Sequence, residues 1–491
     1  MSDRSENMRR RTSLSFLNSV VVGIVAGTLV IGLRFAFFAL NSFRQEIVVN
    51  PSILYKILWV VLVIGIVFLI TFLLKHHQAS KQSGEDQIQA QLLGLSKPNS
   101  FNVIVSKIIG TLGSVFGGLP LGHGGPSMQI GAHVGKVMTP KNRKDTEKTM
   151  MLSGQAAGFA GAFSTPLSGL IFNIELVNRS FTLGMALPAL TASIIADLLA
   201  RHVFSLPPLF NIVLDDLLPF DNYHYIILLA ILVSLCGVFF NFIVQQSSRL
   251  KINRQYYIWF SFGLAILLFF VFPQALGPII DFGSNNIALI ISLLILRYVF
   301  TLTTYQSNAM GGLFLPLMMI GGLIGQLFGS LLIHFEWMDM IYINNMVVFG
   351  MAAMLSATLK SPLFAIVFIA EITGAPLLVL PLAISSLIST MIASNIEVLP
   401  LYSYQLSQVV GIRPEVNTMD RVVTQVYLSL DSDLHQMRIM DIKLPAGVLI
   451  ISIYRYGKEI NVDGKVRLQA GDLVSLVSRE DQQYLITQMF H

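Results

Sequence analysis

Four stretches of this chain are apolar over about the length of a bilayer-crossing helix, roughly 20 residues. They are Lys56–Leu74, His224–Val244, Tyr257–Phe272 and Asn286–Thr304. Lipid offers no hydrogen bonds, so such runs satisfy their backbone groups internally and must be helical. The balance of the chain agrees: 54% of residues are hydrophobic and 12% charged, where soluble domains carry about 25% charge. The expectation is an all-α polytopic membrane protein. Arg4, Arg9, Arg10 and Arg11 precede the apolar run from Leu14, and no small-residue cleavage site follows promptly. This reads as an uncleaved first helix with the N-terminus in the cytoplasm. The net charge of +5 reflects that bias and argues for no nucleic-acid partner. The single Cys236 leaves no intramolecular disulfide and no cysteine-rich metal site.

The stretch Gly117–Gly135, GGLPLGHGGPSMQIGAHVG, is apolar but dense in glycine and broken by Pro120 and Pro126. It suits a helix that ends, a short turn, and a new helix starting near Pro126. Such a break exposes backbone N–H groups, which hold anions. Within a membrane, irregular backbone survives only where it lines a cavity or is buried in protein.

Part of this stretch recurs. Pro126-x-Met128-x-Ile130-Gly131-x-x-Val134-Gly135 returns as Pro316-x-Met318-x-Ile320-Gly321-x-x-Ile324-Gly325, 190 residues later. Thr165-Pro166-Leu167, Phe172 and Glu175 return as Ser361-Pro362-Leu363, Phe368 and Glu371, offset by 196. Two patterns in the same order at nearly the same offset indicate two homologous halves. Transporters built this way bind their substrate at the interface, on the ends of broken helices. Buried ionisable residues in such a domain are functional suspects, here Lys107, Glu175, Arg297 and Glu371. Glu175 and Glu371 close equivalent helices, which points to structural roles; Lys107 could raise the local potential for an anion.

Composition changes near Arg413. Residues 413–491 carry 9 Lys or Arg and 10 Asp or Glu, against 23 and 17 in residues 1–412. The expectation is a membrane domain, 1–412, and a small α+β cytoplasmic domain, 413–491. In the second, Val422–Leu430, Gly447–Tyr454 and Leu473–Val477 read as strands and Glu480–Phe490 as a closing helix. Tyr456-Gly457-Lys458, Asp463-Gly464 and Ala470-Gly471-Asp472 read as turns.

The membrane part resembles the CLC family of chloride channels and proton/chloride antiporters over roughly residues 15–410. Its Gly-Arg-Glu-Gly-Pro motif matches Gly122-His123-Gly124-Gly125-Pro126, and Gly-x-Phe-x-Pro matches Gly312-Leu313-Phe314-Leu315-Pro316. Gly-Ser-Gly-Ile-Pro is eroded to Gln82-Ser83-Gly84-Glu85-Asp86, and the late Pro-Leu-Tyr is Pro400-Leu401-Tyr402. The resemblance implies the CLC fold, two inverted-topology halves, a homodimer in a bacterial-type cell membrane, no enzymatic activity, and no cofactor or metal. It places the transported chloride on the hydroxyls of Ser83 and Tyr402 and the amides of Leu313 and Phe314. Those donors carry no full positive charge, so a dehydrated halide both binds and leaves. The residues Gly122, His123, Gly124, Gly125 and Pro126 would form the pore mouth and gate.

Two departures bear on mechanism. The family's gating glutamate falls at Gly124, and the inner proton-transfer glutamate falls at Leu176. Neither residue carries a proton, so the sequence favours a chloride channel over the alternative, an antiporter with a displaced proton carrier. His123 stands for the motif's arginine, as a structural histidine or a pH sensor.

The tail resembles the RCK C-terminal (TrkA-C) domain of potassium transport systems, on Leu444-Pro445-Ala446-Gly447, Val448–Tyr454, Arg455-Tyr456-Gly457 and Leu468-Gln469-Ala470-Gly471-Asp472. Potassium transport is the distant alternative; no Thr-Val-Gly-Tyr-Gly filter is present. The resemblance implies a regulatory domain that pairs with a second copy, either as a dimerisation module alone or as a site for cyclic di-AMP. Ile450, Ile451, Arg455 and Asn461 are the contacts expected for that ligand.

Overall fold

The computed structural model describes residues 2–139, 144–177, 182–206, 209–210, 216–247, 254–279, 282, 286–410, 421–429, 432–442, 444–445, 447–455, 458–460, 462–479 and 483–490. The chain divides into two compact units, Met1–Gly411 and Ile412–His491.

The first unit is helical. Its helices are α1 (Ser2–Val49), α2 (Ile53–His76), α3 (Glu85–Leu92), α4 (Ser100–Phe116), α5 (Gly124–Val137), α6 (Lys144–Phe163), α7 (Pro166–Phe172) and α8 (Leu183–Leu198) in one half. The other half has α9 (Tyr223–Ser247), α10 (Arg254–Val271), α11 (Ile287–Gln306), α12 (Phe314–His334), α13 (Ile343–Leu359), α14 (Pro362–Thr373), α15 (Val379–Ser394) and α16 (Leu401–Val410). Among the described residues, nine helical stretches are long and apolar enough to cross a membrane. The four apolar runs read from the sequence fall on α2, α9, α10 and α11.

The order α4–α8 is repeated by α11–α15, as the sequence repeat requires. Small residues set the packing within each half. A Cβ at Gly131 would strike the carbonyl of Gly154, and one at Gly325 the carbonyl of Met346. These glycines bring α5 against α6 and α12 against α13 backbone to backbone, the close approach favoured between helices in lipid.

The halves also clasp each other. Glu371, near the end of α14, accepts from the amides of Leu167 and Ser168 at the start of α7, at 2.9 and 2.8 Å. Glu175, on the π turn that continues α7, accepts from the amides of Leu363 and Phe364 at the start of α14. Each carboxylate thus satisfies orphan amides of the opposite half and meets the positive end of its helix. This gives the two suspect glutamates structural roles. Arg297 is likewise structural: it donates to the carbonyls of Ala275 and Pro278. Cys236 is half-buried and free.

The second unit is a four-stranded antiparallel sheet with one helix. Strands β1 (Arg421–Tyr427), β2 (Leu449–Arg455), β3 (Lys458–Ile460) and β4 (Leu473–Arg479) lie in the order β1-β4-β2-β3, and α17 spans Gln483–Phe490. Val426, Ile453, Val474, Leu476, Ile486 and Phe490 form its core. The three expected strands are present. Lys458, expected in a turn, instead pairs with Arg455 and opens β3.

Candidate anion-binding site

The site is built where the two halves meet. The glycine-rich breaks face each other as one short antiparallel bridge. Gly122 donates to the Gly312 carbonyl at 2.8 Å, and Gly312 donates back at 2.6 Å. The bridge brings together the first turns of α5 and α12. Helix α5 begins at Gly124, two residues before the expected start at Pro126, because proline fits the first turn, where no N–H is needed. The amides of Leu313 and Phe314 lie at the equivalent start of α12, among those a helix leaves without an internal carbonyl.

The eroded motif Gln82-Ser83-Gly84-Glu85-Asp86 folds into this junction. Gln82 donates its amide to the Asn308 carbonyl, and its own carbonyl accepts from Gly311. Gly84 has φ +101°, a left-handed conformation that a side chain strains, and a Cβ there would overlap Gln129. That turn sets Ser83 beside the first residue of α3. Lys107, fully buried on α4, donates to the carbonyls of Ser80, Lys81 and Gln82 at 3.1, 3.2 and 2.7 Å. All three ammonium hydrogens are therefore spent on loop carbonyls.

Tyr402 closes the site from α16, which packs on α3. Its ring lies 5.9 Å from that of Phe314 and 6.1 Å from that of Phe172. The expected anion residues Ser83, Phe314 and Tyr402 thus stand together, with Leu313 at the same helix start. What they surround was not anticipated. The Ser83 hydroxyl donates to Glu85 Oε1 at 2.7 Å, and the Tyr402 hydroxyl to the same oxygen at 3.5 Å. Gly125 completes the enclosure: a Cβ there would overlap Ser83 Oγ and come within 2.6 Å of Glu85 Oε1. A carboxyl of the chain stands on the hydroxyl donors themselves.

Glu85 and Asp86 are 2% and 5% exposed. Among the described residues, Glu85 Oε2 and Asp86 Oδ1 are buried without a hydrogen-bond partner. Asp86 also lines a cavity of about 660 Å³ together with Lys81, Gln82, Arg254, Tyr305 and Gln405. The signal for this pair was in the sequence: two adjacent acids in the slot where the family motif has Ile-Pro.

The expected gate is occupied differently. A Cβ at Gly124 would overlap the ring of Phe163 and sit 3.3 Å from Phe314. Phe163 belongs to an aromatic cluster with Phe159, Phe172, Phe314, Phe364 and Phe368. His123 is fully buried among Phe37, Phe38 and Phe163, and among the described residues neither ring nitrogen has a hydrogen-bond partner. It packs as a structural residue rather than facing water. Leu176 is buried on the π turn after α7.

In the tail, three of the four expected ligand contacts, Ile450, Ile451 and Arg455, lie among the described residues. Arg455 meets the fully buried Asp472 through Nε and Nη2, both at 2.8 Å, and Nη2 also donates to the Arg467 carbonyl. Its guanidinium is therefore engaged inside the domain, which corrects the expectation of a phosphate contact. Ile450 packs on the core, Ile451 sits exposed at a register shift in β2, and Asn461 lies outside the described residues. Removing Arg455 strands a buried charge. The Arg455→Ala variant is expected to lose about 3–5 kcal/mol from the tail unit. Limited proteolysis of the full chain checks it: the tail should be cut while the membrane unit stays intact.

The comparisons with known proteins agree with this fold. The family described as "Voltage gated chloride channel" matches residues 66–394, and the TrkA-C domain matches residues 423–490. An H(+)/Cl(-) exchange transporter ClcA of Citrobacter koseri is 26% identical over 428 residues, 82% of this chain and 90% of that protein. The structure of a slow cyanobacterial Cl-/H+ antiporter is similar with TM-score 0.72 and 24% identity, over 81% of this chain and 98% of that one. A CLC-type fluoride/proton antiporter is similar with TM-score 0.63 and 20% identity, over 78% of this chain and 96% of that one. With a family match over two thirds of its length, the chain belongs to the CLC, or voltage-gated chloride channel, family and carries a C-terminal TrkA-C domain.

Proposed function

We propose that this protein exchanges chloride for protons across the membrane, rather than conducting chloride passively. The observation that carries the reading is the Glu85 carboxyl on the hydroxyls of Ser83 and Tyr402. Gly124 and Leu176 remove two proton carriers, yet the anion site keeps an ionisable group of its own. The named relatives, which are exchangers, support the same reading. Ser83, Tyr402 and the amides of Leu313 and Phe314 offer a halide donors without a full cation, a set it can leave as well as enter. The arginines near the N-terminus place that end in the cytoplasm. The tail is the regulatory unit in this reading, acting in a paired assembly.

The test is made in liposomes containing the purified full chain. An outward chloride gradient is expected to drive protons inward, against their own gradient, in fixed proportion to the chloride moved. Chloride efflux that leaves the internal pH unchanged would return the protein to the channel reading.

A further inference from the structure

We infer that Glu85 is a tethered anion that competes with chloride for the central site and carries the exchanged proton, with Asp86 passing that proton between Glu85 and the cavity. The inference rests on the exchange reading for its proton half and on geometry alone for the competition.

An ionised carboxylate is an acceptor only, as a halide is. The Ser83 and Tyr402 hydroxyls each offer one hydrogen, and both point at Glu85 Oε1. A chloride and this carboxylate therefore claim the same two donors, and their like charges forbid joint occupancy so close together. Protonation removes both conflicts. The neutral acid releases its claim and its charge, and chloride takes the hydroxyls. When the proton departs, the carboxylate re-forms and expels the chloride. In one exchange cycle the proton that Glu85 takes up from one side of the membrane is released to the other while chloride moves the opposite way, and no other bond changes.

The surroundings keep Glu85 movable. Lys107 is the cation whose charge acts on both acids. Its three hydrogens are spent on Ser80, Lys81 and Gln82, so it compensates the acids without being bonded to either. Among the described residues Glu85 thus makes no ion pair that would lock it, and Oε2 stays without a partner. The titratable groups facing it are Asp86 on its own helix, Lys107 from α4 and Tyr402 from α16. The proton route runs from the cavity, which Asp86 lines, to Asp86 and then to its neighbour. Asp86 Oδ1, like Glu85 Oε2, is a buried acceptor without a hydrogen-bond partner among the described residues.

The test combines chloride titration of the detergent-solubilised full chain with flux in liposomes. The parent protein is expected to bind chloride about tenfold more tightly at ~pH 5 than at ~pH 8. Glu85→Gln and Glu85→Ala are expected to bind chloride with no such pH dependence, and to carry chloride while moving less than about a tenth of the parent's protons. Asp86→Asn is expected to slow proton movement while keeping the pH-dependent binding. Parent binding that does not change with pH overturns the competition, and this measurement needs no variant to fold. A Glu85 variant that pumps protons as the parent does overturns the carrier role. A parent that moves chloride with no protons overturns the exchange reading instead, and the pH-dependent binding then still decides the competition.

Discussion

Replacing Lys107 by methionine is expected to cost about 3–5 kcal/mol, a large share of the roughly 5–15 kcal/mol that holds a domain folded. Methionine fills much of the lysine's volume, so the effect is electrostatic and not a cavity. Two losses add. The carbonyls of Ser80, Lys81 and Gln82 lose their donor inside the protein, at about 1–3 kcal/mol for a buried group left unsatisfied. Glu85 and Asp86 lose the cation that compensates them. The two losses separate in a cycle with Glu85→Gln. If the acids matter, neutralising Glu85 recovers about 0.5–3 kcal/mol of the lost stability, the usual range of coupling between neighbouring groups. Thermal unfolding of the purified variants in detergent reads this out. A Lys107→Met protein as stable as the parent would remove Lys107 from both roles.

How much of this was legible in the sequence follows a simple division. Features carried by local chemistry were visible. The breaks at residues 122–126 and 312–316 were marked by Gly and Pro, and the repeat tied them together before Gly122 and Gly312 were seen to pair. The glutamates 175 and 371 were read as structural, although their cross-over to the opposite half's helix was not. What escaped depended on distant partners. Glu85 was passed over within a degraded motif, because its meaning comes from Tyr402, 317 positions away, and from Lys107 on another helix. The sequence marks Gly124 as the place of a missing gating glutamate, and nothing local reveals that Phe163 packs against it. Arg455 looked free because Asp472 belongs to a different strand region, and only the fold joins them. Short-range rules find breaks, turns and strands; buried charge is decided by tertiary neighbours.

The second large effect is functional and concerns one methyl group. Gly125→Ala is expected to lower chloride flux by about 100-fold, the scale of loss when a polar constellation is misplaced by about 1 Å. The backbone itself tolerates the change, since Gly125 lies in the first turn of α5 and alanine favours a helix. The conflict is with the site. The new Cβ would overlap Ser83 Oγ and press on Glu85 Oε1, and it would also meet the Ser83 Cβ at 2.9 Å. Ser83 cannot retreat freely, because Gly84 behind it holds a left-handed turn and Lys107 grips the loop before it. The displaced atoms are therefore those proposed to hold the anion. Gly65→Ala and Gly263→Ala provide the control, as a Cβ at either meets nothing within 4 Å. Both lie inside helices and should keep parent flux, with stability unchanged or raised by about 0.5–1 kcal/mol. Flux of all three variants in liposomes, normalised to folded protein by size-exclusion chromatography, makes the comparison. Gly125→Ala transporting as fast as the two controls would mean that chloride does not pass between Ser83, Tyr402 and the start of α5.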